Sequence, residues 1–308
     1  MERKALISNI QKFCTYDGPG IRSVVFFMGC PLRCKWCQNP ENFIGKTLLM
    51  FDYSKCTSCG ACMVHCKHQV NTLDEKGHLL FDRSRCKACG ECIEDCYYEA
   101  RSLCGSEIAV EEVYSEVMKD EVFFRNTGGG ITLSGGECTL FPDFVSELLN
   151  KFNKAGIHTA IETSGFCSKQ SIEKIVDNVD LFLFDFKLFT SDLHEKWTGK
   201  PNDMIKRNLE YLAAEGKQIV IRIPLIAGIN DGEEFEKIIH YLKKIPQLKE
   251  IHIMPFHQIG ASKYGLSGTP YDMAEWKECT QEQASKCQKI AENSGFLVNI
   301  GGWDLHCI

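Results

Sequence analysis

Apolar and polar residues follow two different spacings along this chain, and the two spacings alternate. Short apolar runs typical of buried strands occupy residues 24–28, 131–134, 158–162, 181–186, 218–223 and 250–254. Between these runs, apolar residues recur three or four positions apart, as on one face of a helix. These helical faces comprise Phe144, Leu148 and Phe152; Ile205, Leu209 and Leu212; and Phe235, Ile238, Ile239 and Leu242. The alternation of strands with helices predicts parallel β/α units.

A duplicated cysteine-rich segment interrupts this pattern between residues 50 and 104. The residues that begin at Phe51 recur thirty positions later from Phe81, and each copy carries cysteines spaced CxxCxxCxxxC. This is the spacing of bacterial ferredoxins, in which the fourth cysteine of each run ligates the other 4Fe–4S cluster. The two predicted ligand sets are Cys56, Cys59 and Cys62 with Cys96, and Cys86, Cys89 and Cys92 with Cys66.

The ferredoxin interpretation has one local departure and one alternative. Lys67 and Tyr97 stand where a proline usually follows the fourth cysteine, which affects the expected turn but not the ligands. A zinc site fits poorly, because four thiolates per run with two-residue gaps match no common zinc finger. We therefore predict that residues 50–104 form an inserted ferredoxin-like domain with two 4Fe–4S clusters.

Residues 1–49 and 105–308 form the other predicted domain. Without residues 50–104 the chain has 253 residues, close to the ~250 of a TIM-type barrel. The strand candidates number six rather than eight. The sequence therefore predicts an α/β protein in which six β/α units carry the inserted domain.

Three further cysteines follow the first predicted strand. Cys30, Cys34 and Cys37 are spaced CxxxCxxC, just beyond the carboxyl end of that strand, where barrel enzymes place their chemistry. Four protein ligands are the ordinary complement of an iron–sulfur cluster, so three in one loop indicate a 4Fe–4S cluster with one iron open to a ligand. The alternatives are a zinc knuckle or buried structural thiols, although the spacing lacks the paired CxxC arms of common zinc sites.

Composition narrows the class of protein further. The 308 residues are 44% hydrophobic and 25% charged, which is ordinary for a globular protein with a core. The net charge of −6 argues against sequence-independent nucleic-acid binding. With no signal peptide and no run of ~20 apolar residues, no membrane association is expected.

Cysteine usage indicates a reducing cytoplasm, and in particular that of an anaerobe. Eleven of the eighteen cysteines lie in the three motifs, which does not fit a secreted disulfide scaffold. The other seven, which include Cys138 and Cys307, are interpreted as small apolar residues.

The CxxxCxxC loop resembles that of the radical S-adenosylmethionine superfamily. The segment DGPGIR at residues 17–22 resembles in particular the activating enzymes of glycyl radical enzymes, and the resemblance extends from Asp17 to Trp303 apart from the insert. It implies an incomplete TIM-type barrel of six β/α units, in agreement with the strand count. The pyruvate formate-lyase activator lacks a two-cluster insert, so the resemblance disfavours that partner.

The resemblance also implies a reaction. S-adenosylmethionine would chelate the open iron of the Cys30, Cys34 and Cys37 cluster, and one electron would cleave it to methionine and a 5′-deoxyadenosyl radical. That radical would take hydrogen from a backbone glycine of a partner glycyl radical enzyme, which makes the protein an oxidoreductase. A flavodoxin- or ferredoxin-type protein would donate the electron, and Asp17 is expected to act in the transfer to glycine.

Polar residues at the predicted strand ends match cofactor-binding positions of this family. The expected S-adenosylmethionine contacts are Trp36, Gln38, Ser134, Gly135, Gly136, Glu137, Asp185, Lys187, Arg222 and His257. Glu162 and Thr163 match a position that binds a monovalent cation. Each position also has a purely structural interpretation. The glycines could form a tight turn, Asp185 and Lys187 a structural ion pair, and Thr163 a helix cap, while Arg222 and His257 could be ordinary polar residues of the core.

Two other functions would account for some of these sequence motifs. A radical S-adenosylmethionine enzyme that modifies a peptide or small molecule would share the barrel motifs but not DGPGIR. A ferredoxin-type electron-transfer protein would share the inserted clusters with an inert barrel. Release of 5′-deoxyadenosine after reduction separates the last function from either enzyme.

Overall fold

The computed structural model describes residues 2–303, so Cys307 lies outside the described residues. The strands are β1 Lys4–Cys14, β2 Arg22–Phe27, β3 Leu48–Phe51, β4 Asn71–Leu73, β5 Leu79–Phe81, β6 Arg101–Cys104, β7 Ser106–Ala109, β8 Gly130–Gly135, β9 His158–Thr163, β10 Leu181–Asp185, β11 Gln218–Leu225, β12 Glu250–Pro255 and β13 Leu297–Ile300. The helices are α1 Ala61–Val64, α2 Glu91–Glu94, α3 Val110–Met118, α4 Glu121–Thr127, α5 Pro142–Lys154, α6 Lys169–Ile175, α7 Ser191–Thr198, α8 Asp203–Ala214, α9 Glu233–Leu242, α10 Ala261–Ser267 and α11 Gln281–Asn293. Short 3₁₀ helices cover Pro40–Phe43, Cys138–Leu140 and Val176–Asn178.

One large sheet carries the order β13-β12-β11-β10-β9-β8-β2-β1-β7. From β2 to β13 neighbouring strands are parallel, whereas β1 is antiparallel to both β2 and β7. The six predicted strands are confirmed as β2 and β8 to β12, each within two residues at both ends. The arrangement is the predicted partial α/β barrel of the TIM type.

Three strands of this sheet were not among the six predicted. β13 adds a short seventh parallel strand at one edge, and β1 and β7 add two antiparallel strands at the other. β13 was not predicted because its four residues alternate between exposed and half-buried positions and form no apolar run. β1 is long, but its polar residues interrupt the apolar ones so that it also lacks a continuous run.

Helices cover the outer face of the sheet. The predicted apolar faces are confirmed in α5, α8 and α9, where every residue named from the periodicity is buried. They pack against outward-facing strand residues such as Phe182, Phe184 and Ile221. The core therefore lies between the sheet and its helices, and the inner face of the sheet is left for other contacts.

The inner face is apolar near the amino-terminal ends of the strands and polar near their carboxyl ends. Ala160, Leu181, Leu183 and Val220 pack together there with Trp303, and we call this apolar layer the floor. The opposite end, where the strands lead into the cysteine loop, is called the mouth. Residues that point inward alternate along each strand, so the polar residues of the mouth follow the apolar residues of the floor at a spacing of two.

The cysteine-rich segment leaves the barrel through an antiparallel ribbon of β3 and β6, in which Leu48 pairs with Cys104. Beyond it lie α1, α2 and a second two-stranded ribbon of β4 and β5. Helix α10 contacts both β3 and the 3₁₀ helix that follows the cysteine loop. The segment is thereby held beside the mouth. No helix in residues 2–303 is both long and apolar enough to cross a bilayer.

Arg22, the last residue of DGPGIR, is fully buried inside the barrel. Its Nε donates to Thr132 Oγ1 at 2.6 Å and its Nη1 to the Pro19 carbonyl at 3.2 Å, while Thr132 Oγ1 donates to the Asp17 carbonyl at 2.7 Å. A third nitrogen donates to the Ile131 carbonyl. Arg22 therefore holds the loop that carries Asp17 against β8.

We expect Arg22→Met to lower the free energy of unfolding by about 2–3 kcal/mol, because it removes charged hydrogen bonds and leaves buried acceptors unpaired. Arg3→Met is the matched control, since Arg3 forms an exposed ion pair with Glu147 and should change stability by no more than about 0.5 kcal/mol. Denaturant unfolding of both variants measures the difference. Equal stability of the two variants would show that Arg22 does not hold the loop.

Candidate active site at the barrel mouth

The cysteine loop is fixed at its start by the main chain of Gly29. The Gly29 N–H donates to the Asn42 carbonyl at 2.8 Å, and the Gly29 carbonyl accepts from the Glu137 N–H at 2.8 Å. Further along, the Arg33 N–H donates to the Thr198 carbonyl at 2.7 Å. The loop is thus tied to β8 on one side and to α7 on the other.

Cys30, Cys34 and Cys37 lie together at this mouth, and burial raises the pKa of each thiol, to about 12 for Cys37. All seventeen cysteines of residues 2–303 are free thiols. Since iron binds thiolate rather than thiol, cluster assembly here must release protons. Three converging, unpaired thiols beside an apolar cluster suit an iron–sulfur centre shielded from water.

Trp36 and Gln38 serve the loop in different ways. Trp36 is buried in an apolar cluster with Leu32 and Phe256. Gln38 donates through Nε2 to the His257 carbonyl at 3.0 Å and accepts through Oε1 from the Gly260 N–H at 2.9 Å. Both polar ends of Gln38 are therefore occupied within the protein, and the side chain connects the loop to the segment after β12.

The segment after β12 contacts the loop at two more points that the sequence did not reveal. Tyr264 Oη donates to the Cys37 carbonyl at 2.9 Å. Lys263 Nζ donates to Asn39 Oδ1 at 2.7 Å and to Glu41 Oε1 at 3.0 Å. His257 lies at the start of the same segment, where its Nδ1 accepts from the Ile259 N–H at 3.4 Å. Helix α10 therefore fastens the far side of the cysteine loop.

Gly135 and Gly136 bring β8 against the start of the cysteine loop. A Cβ on Gly136 would lie 2.2 Å from the Gly29 carbonyl oxygen, and one on Gly135 would lie 2.2 Å from the Phe27 nitrogen. Gly135 also has a φ of +103°, which side chains with a Cβ rarely adopt. The paired glycines are thus required by the packing of the two strand ends, whatever ligand they also meet.

Glu137 is buried, and both of its carboxylate oxygens are occupied by residues of β9 and the adjoining turns. Oε1 accepts from Thr163 Oγ1 and from Thr139 Oγ1, each at 2.7 Å, and Oε2 accepts from Ser164 Oγ at 2.6 Å. The Ser164 N–H donates to Oε2 as well, at 3.0 Å. The carboxylate therefore joins the ends of β8 and β9, which the sequence did not predict.

A charged layer crosses the mouth at the level of the last strand residues. Arg222 Nη1 lies 3.1 Å from Glu162 Oε1 and 3.6 Å from Asp17 Oδ1. Beside it, Lys187 Nζ donates to Asp185 Oδ2 at 2.7 Å. We call these five residues the charged layer.

Arg222 and Lys187 are buried, the three carboxylates of the charged layer are half-buried, and the opposite charges stabilise one another. Burial raises the pKa of Glu162 despite the opposing attraction of Arg222. Burial disfavours the charged form of Lys187, yet Asp185 and the nearby cysteines together raise its pKa. Arg222 Nε is buried without a hydrogen-bond partner among the described residues, so the layer has a donor left for a ligand.

Glu162 and Thr163 project to opposite faces of β9, as consecutive strand residues do. Glu162 faces Arg222 inside the barrel and accepts from Ser134 Oγ, whereas Thr163 Oγ1 donates to Glu137. A cation that used both residues would have to take a main-chain oxygen from one of them. The monovalent cation site stays a prediction.

The inserted segment encloses two cavities of about 330 Å³ each, their open mouths included. The first is lined by Cys56, Cys59, Cys62 and Cys96, and the second by Cys66, Cys86, Cys89 and Cys92. Each cavity thus takes three cysteines from one run and the fourth from the other run, as the ferredoxin spacing predicts.

A buried arginine lies between the two cavities. Arg101 lines both of them, and in the described chain its polar partners are Asn71 and the sulfur of Cys92, neither of which is a carboxylate. A buried cation without a counter-charge is costly, and anionic clusters in the two cavities would supply that charge. In residues 2–303, no three His, Cys, Asp or Glu side chains are placed to hold a single metal ion.

Comparisons with known proteins show which family the chain resembles. The chain matches the radical SAM superfamily model over residues 86–242 and a 4Fe–4S dicluster domain model over residues 48–97. It is 41% identical to the trans-4-hydroxy-L-proline dehydratase activating enzyme of Clostridioides difficile, over 96% of this chain and 99% of that protein. It is 39% identical to the choline trimethylamine-lyase activating enzyme of Oleidesulfovibrio alaskensis, over 88% of this chain and 89% of that protein.

A solved structure supports the fold alone. A radical SAM methyltransferase from Sphaerobacter thermophilus superposes with a TM-score of 0.50 at 14% identity, and the match covers 63% of this chain and 57% of that one. The relatives match the chain over nearly its full length, and the cysteine loop and the cysteine-lined cavities agree with them. The chain therefore belongs to the radical S-adenosylmethionine activating enzymes of glycyl radical enzymes.

Proposed function

We propose that this protein activates a partner glycyl radical enzyme by removing a hydrogen atom from one of its backbone glycines. The observation that carries the proposal is the convergence of three unpaired cysteines with a largely buried charged layer at the mouth of an open parallel barrel. Once bound there, S-adenosylmethionine on a reduced 4Fe–4S cluster supplies the radical chemistry, and the protein supplies orientation and exclusion of water.

Cys30, Cys34 and Cys37 would hold the cluster. Gly135, Gly136 and Glu137 would set the distance of the cluster from β8. In this proposal Glu137 is a positioning residue, because its oxygens already bind Thr139, Thr163 and Ser164. Gln38 is likewise a positioning residue, since it connects the loop to Gly260. The cofactor contacts are then main-chain groups of Ser134, Gly135 and Gly136, together with the face of Trp36.

The charged layer would meet the polar part of the cofactor and the incoming glycine segment. Asp185 and Arg222 lie on β10 and β11, Lys187 follows β10, and Arg222 Nε has no partner in the described chain. His257 lies at the rim of the same mouth. Asp17 is the member of the layer that comes from the DGPGIR loop, so it would act between cofactor and glycine.

The proposal includes three 4Fe–4S clusters and two domains, residues 50–104 inserted between 1–49 and 105–308. The two cysteine-lined cavities support the inserted clusters. The exposed Cys59 and Cys89 would bring one edge of each cluster to the surface, where a flavodoxin- or ferredoxin-type donor could deliver electrons. A cytoplasmic location is part of the proposal, because free thiols persist in a reducing compartment. A monovalent cation near Glu162 would complete the mouth.

The first prediction concerns the catalytic cluster. Anaerobic reconstitution should give about twelve irons per chain, and replacing Cys30, Cys34 and Cys37 together by Ala should remove about four of them. The same variant should form no 5′-deoxyadenosine with dithionite, as measured by chromatography. Cys138→Ala, which changes a buried thiol outside the motifs, is the control and should keep both properties. Cofactor cleavage by the triple variant would refute the assignment.

The second prediction concerns the inserted clusters, which we propose relay electrons inward. Replacing both Cys59 and Cys89 by Ala should slow glycyl radical formation about tenfold with a protein donor and much less with a small chemical reductant that reaches the mouth directly. Electron paramagnetic resonance of the glycyl radical measures both rates. Equal slowing with the two reductants would instead favour a structural role for the insert.

The third prediction separates cofactor cleavage from hydrogen transfer. Asp17→Asn should lower the rate of glycyl radical formation about tenfold or more, because it removes the charge that faces Arg222 and with it the orientation of the glycine segment. Uncoupled formation of 5′-deoxyadenosine should change much less. Asp203→Asn, on an exposed helix start, is the control. A parallel loss of both activities would place Asp17 in cofactor binding rather than in transfer.

A further inference from the structure

The two halves of the insert are related by a thirty-residue repeat, and at one buried pair of equivalent positions they differ in charge. Phe51 corresponds to Phe81, Cys62 to Cys92, and Asn71 to Arg101. Asn71 and Arg101 meet each other, since Arg101 Nη2 donates to Asn71 Oδ1 at 2.7 Å. One half thus places a neutral amide where the other half places a cation.

The guanidinium of Arg101 lies between the repeated aromatic rings. Its central carbon is 4.5 Å from the ring centre of Phe51 and 5.0 Å from that of Phe81. Cation–π contact with both rings holds the charge between the two cysteine-lined cavities. Because Arg101 lines both cavities, its charge acts on both sites.

The hydrogen bonds of Arg101 and Asn71 differ between the two cysteine sites. Arg101 Nη1 donates to the sulfur of Cys92 at 3.4 Å, whereas Asn71 Nδ2 donates to the main-chain oxygen of Cys62 at 3.1 Å. Only the Cys92 sulfur, among these two equivalent cysteines, receives a charged donor. Hydrogen bonds to the ligand sulfurs and nearby charge are the factors that set iron–sulfur reduction potentials.

The Cys92 half is also the half that faces the barrel. Arg83 Nη1 donates to the Leu49 carbonyl at 2.8 Å and its Nη2 to the Leu266 carbonyl of α10 at 2.7 Å, while the corresponding residue of the first half, Tyr53, is exposed. Helix α10 in turn contacts the Cys37 carbonyl through Tyr264. The site of Cys66, Cys86, Cys89 and Cys92 is therefore the inner one, and that of Cys56, Cys59, Cys62 and Cys96 the outer one.

We propose that Arg101 is a positioning residue that makes the inner cluster of the insert easier to reduce than the outer cluster. The inference rests on the proposed function, because it requires a 4Fe–4S cluster at each site. An external one-electron donor reduces the outer cluster, which is then reoxidised as it passes that electron to the inner cluster. No bond forms or breaks and no proton is required. Arg101 shifts the equilibrium of this electron exchange toward the inner cluster, on the side of the cysteine loop.

The experiment is a potentiometric titration of the reconstituted full-length chain, followed by electron paramagnetic resonance. Cys59→Ser and Cys89→Ser, which alter one cluster each, assign the two midpoint potentials of the insert. In Arg101→Met we expect both potentials to fall and that of the inner cluster to fall further. The equilibrium constant for electron exchange should change at least tenfold, which is about 59 mV for one electron. Lys76→Met removes an exposed cation of the insert that lines neither cavity, and it should leave the separation unchanged.

The outcomes distinguish the inference from the function on which it rests. A wild-type chain that binds only about four irons would contradict the two inserted clusters and hence the proposed function. A chain with full iron content whose two potentials keep their separation in Arg101→Met would overturn the role of Arg101 alone. If Arg101→Met loses iron, the Arg101→Lys variant tests the role of Arg101 in its place. Its ammonium keeps the charge but cannot span Asn71 and Cys92, so the mean of the potentials should stay while their separation narrows, and an unchanged separation overturns the inference.

Discussion

The position of the cysteine loop depends on the main chain of Gly29, which is bound from both sides. Its N–H and carbonyl are used by Asn42 and by Glu137, so Cys30, the first cysteine of the loop, leaves the strand at a fixed point. The contact requires the β8 turn to approach closely, which only residues without a Cβ allow at Gly135 and Gly136. Glu137 then transmits this position to β9 through buried hydroxyl groups, whose bonds to a charged acceptor are stronger than neutral ones.

A second set of contacts places the inserted segment relative to this loop. Arg83 joins the insert to α10, and α10 joins the loop through Lys263 and Tyr264. The inserted cysteines and the mouth are therefore parts of one continuous structure, although the sequence separates them widely. Such an arrangement fixes the position of the inserted cysteines relative to the mouth.

Much of the fold could be predicted from the sequence, because its signals are local. Buried parallel strands show as apolar runs, and the cysteine spacings are read within a dozen residues. β13 and β1 could not be found this way, because polar residues interrupt their apolar residues and leave no continuous apolar run. In the site, Glu137 was recognised as part of a motif, but its bonds to Thr163 and Ser164 join segments far apart in sequence, so no local pattern predicts them. Arg101 was overlooked for the same reason, although comparison of the two repeats at Asn71 could have revealed it.

The floor of the barrel has a consequence for kinetics. Trp303 packs against Leu181, Leu183 and Val220, and its ring centre lies 4.8 Å from that of His252, so described side chains fill the amino-terminal end of the barrel. Under the proposed function, the cofactor and the glycine segment would both approach from the mouth side. The molecule that reacts deeper in the barrel would then have to bind first and could not leave until the other had left. A barrel filled at one end would in this way make the order of binding compulsory, with the protein substrate covering the small one.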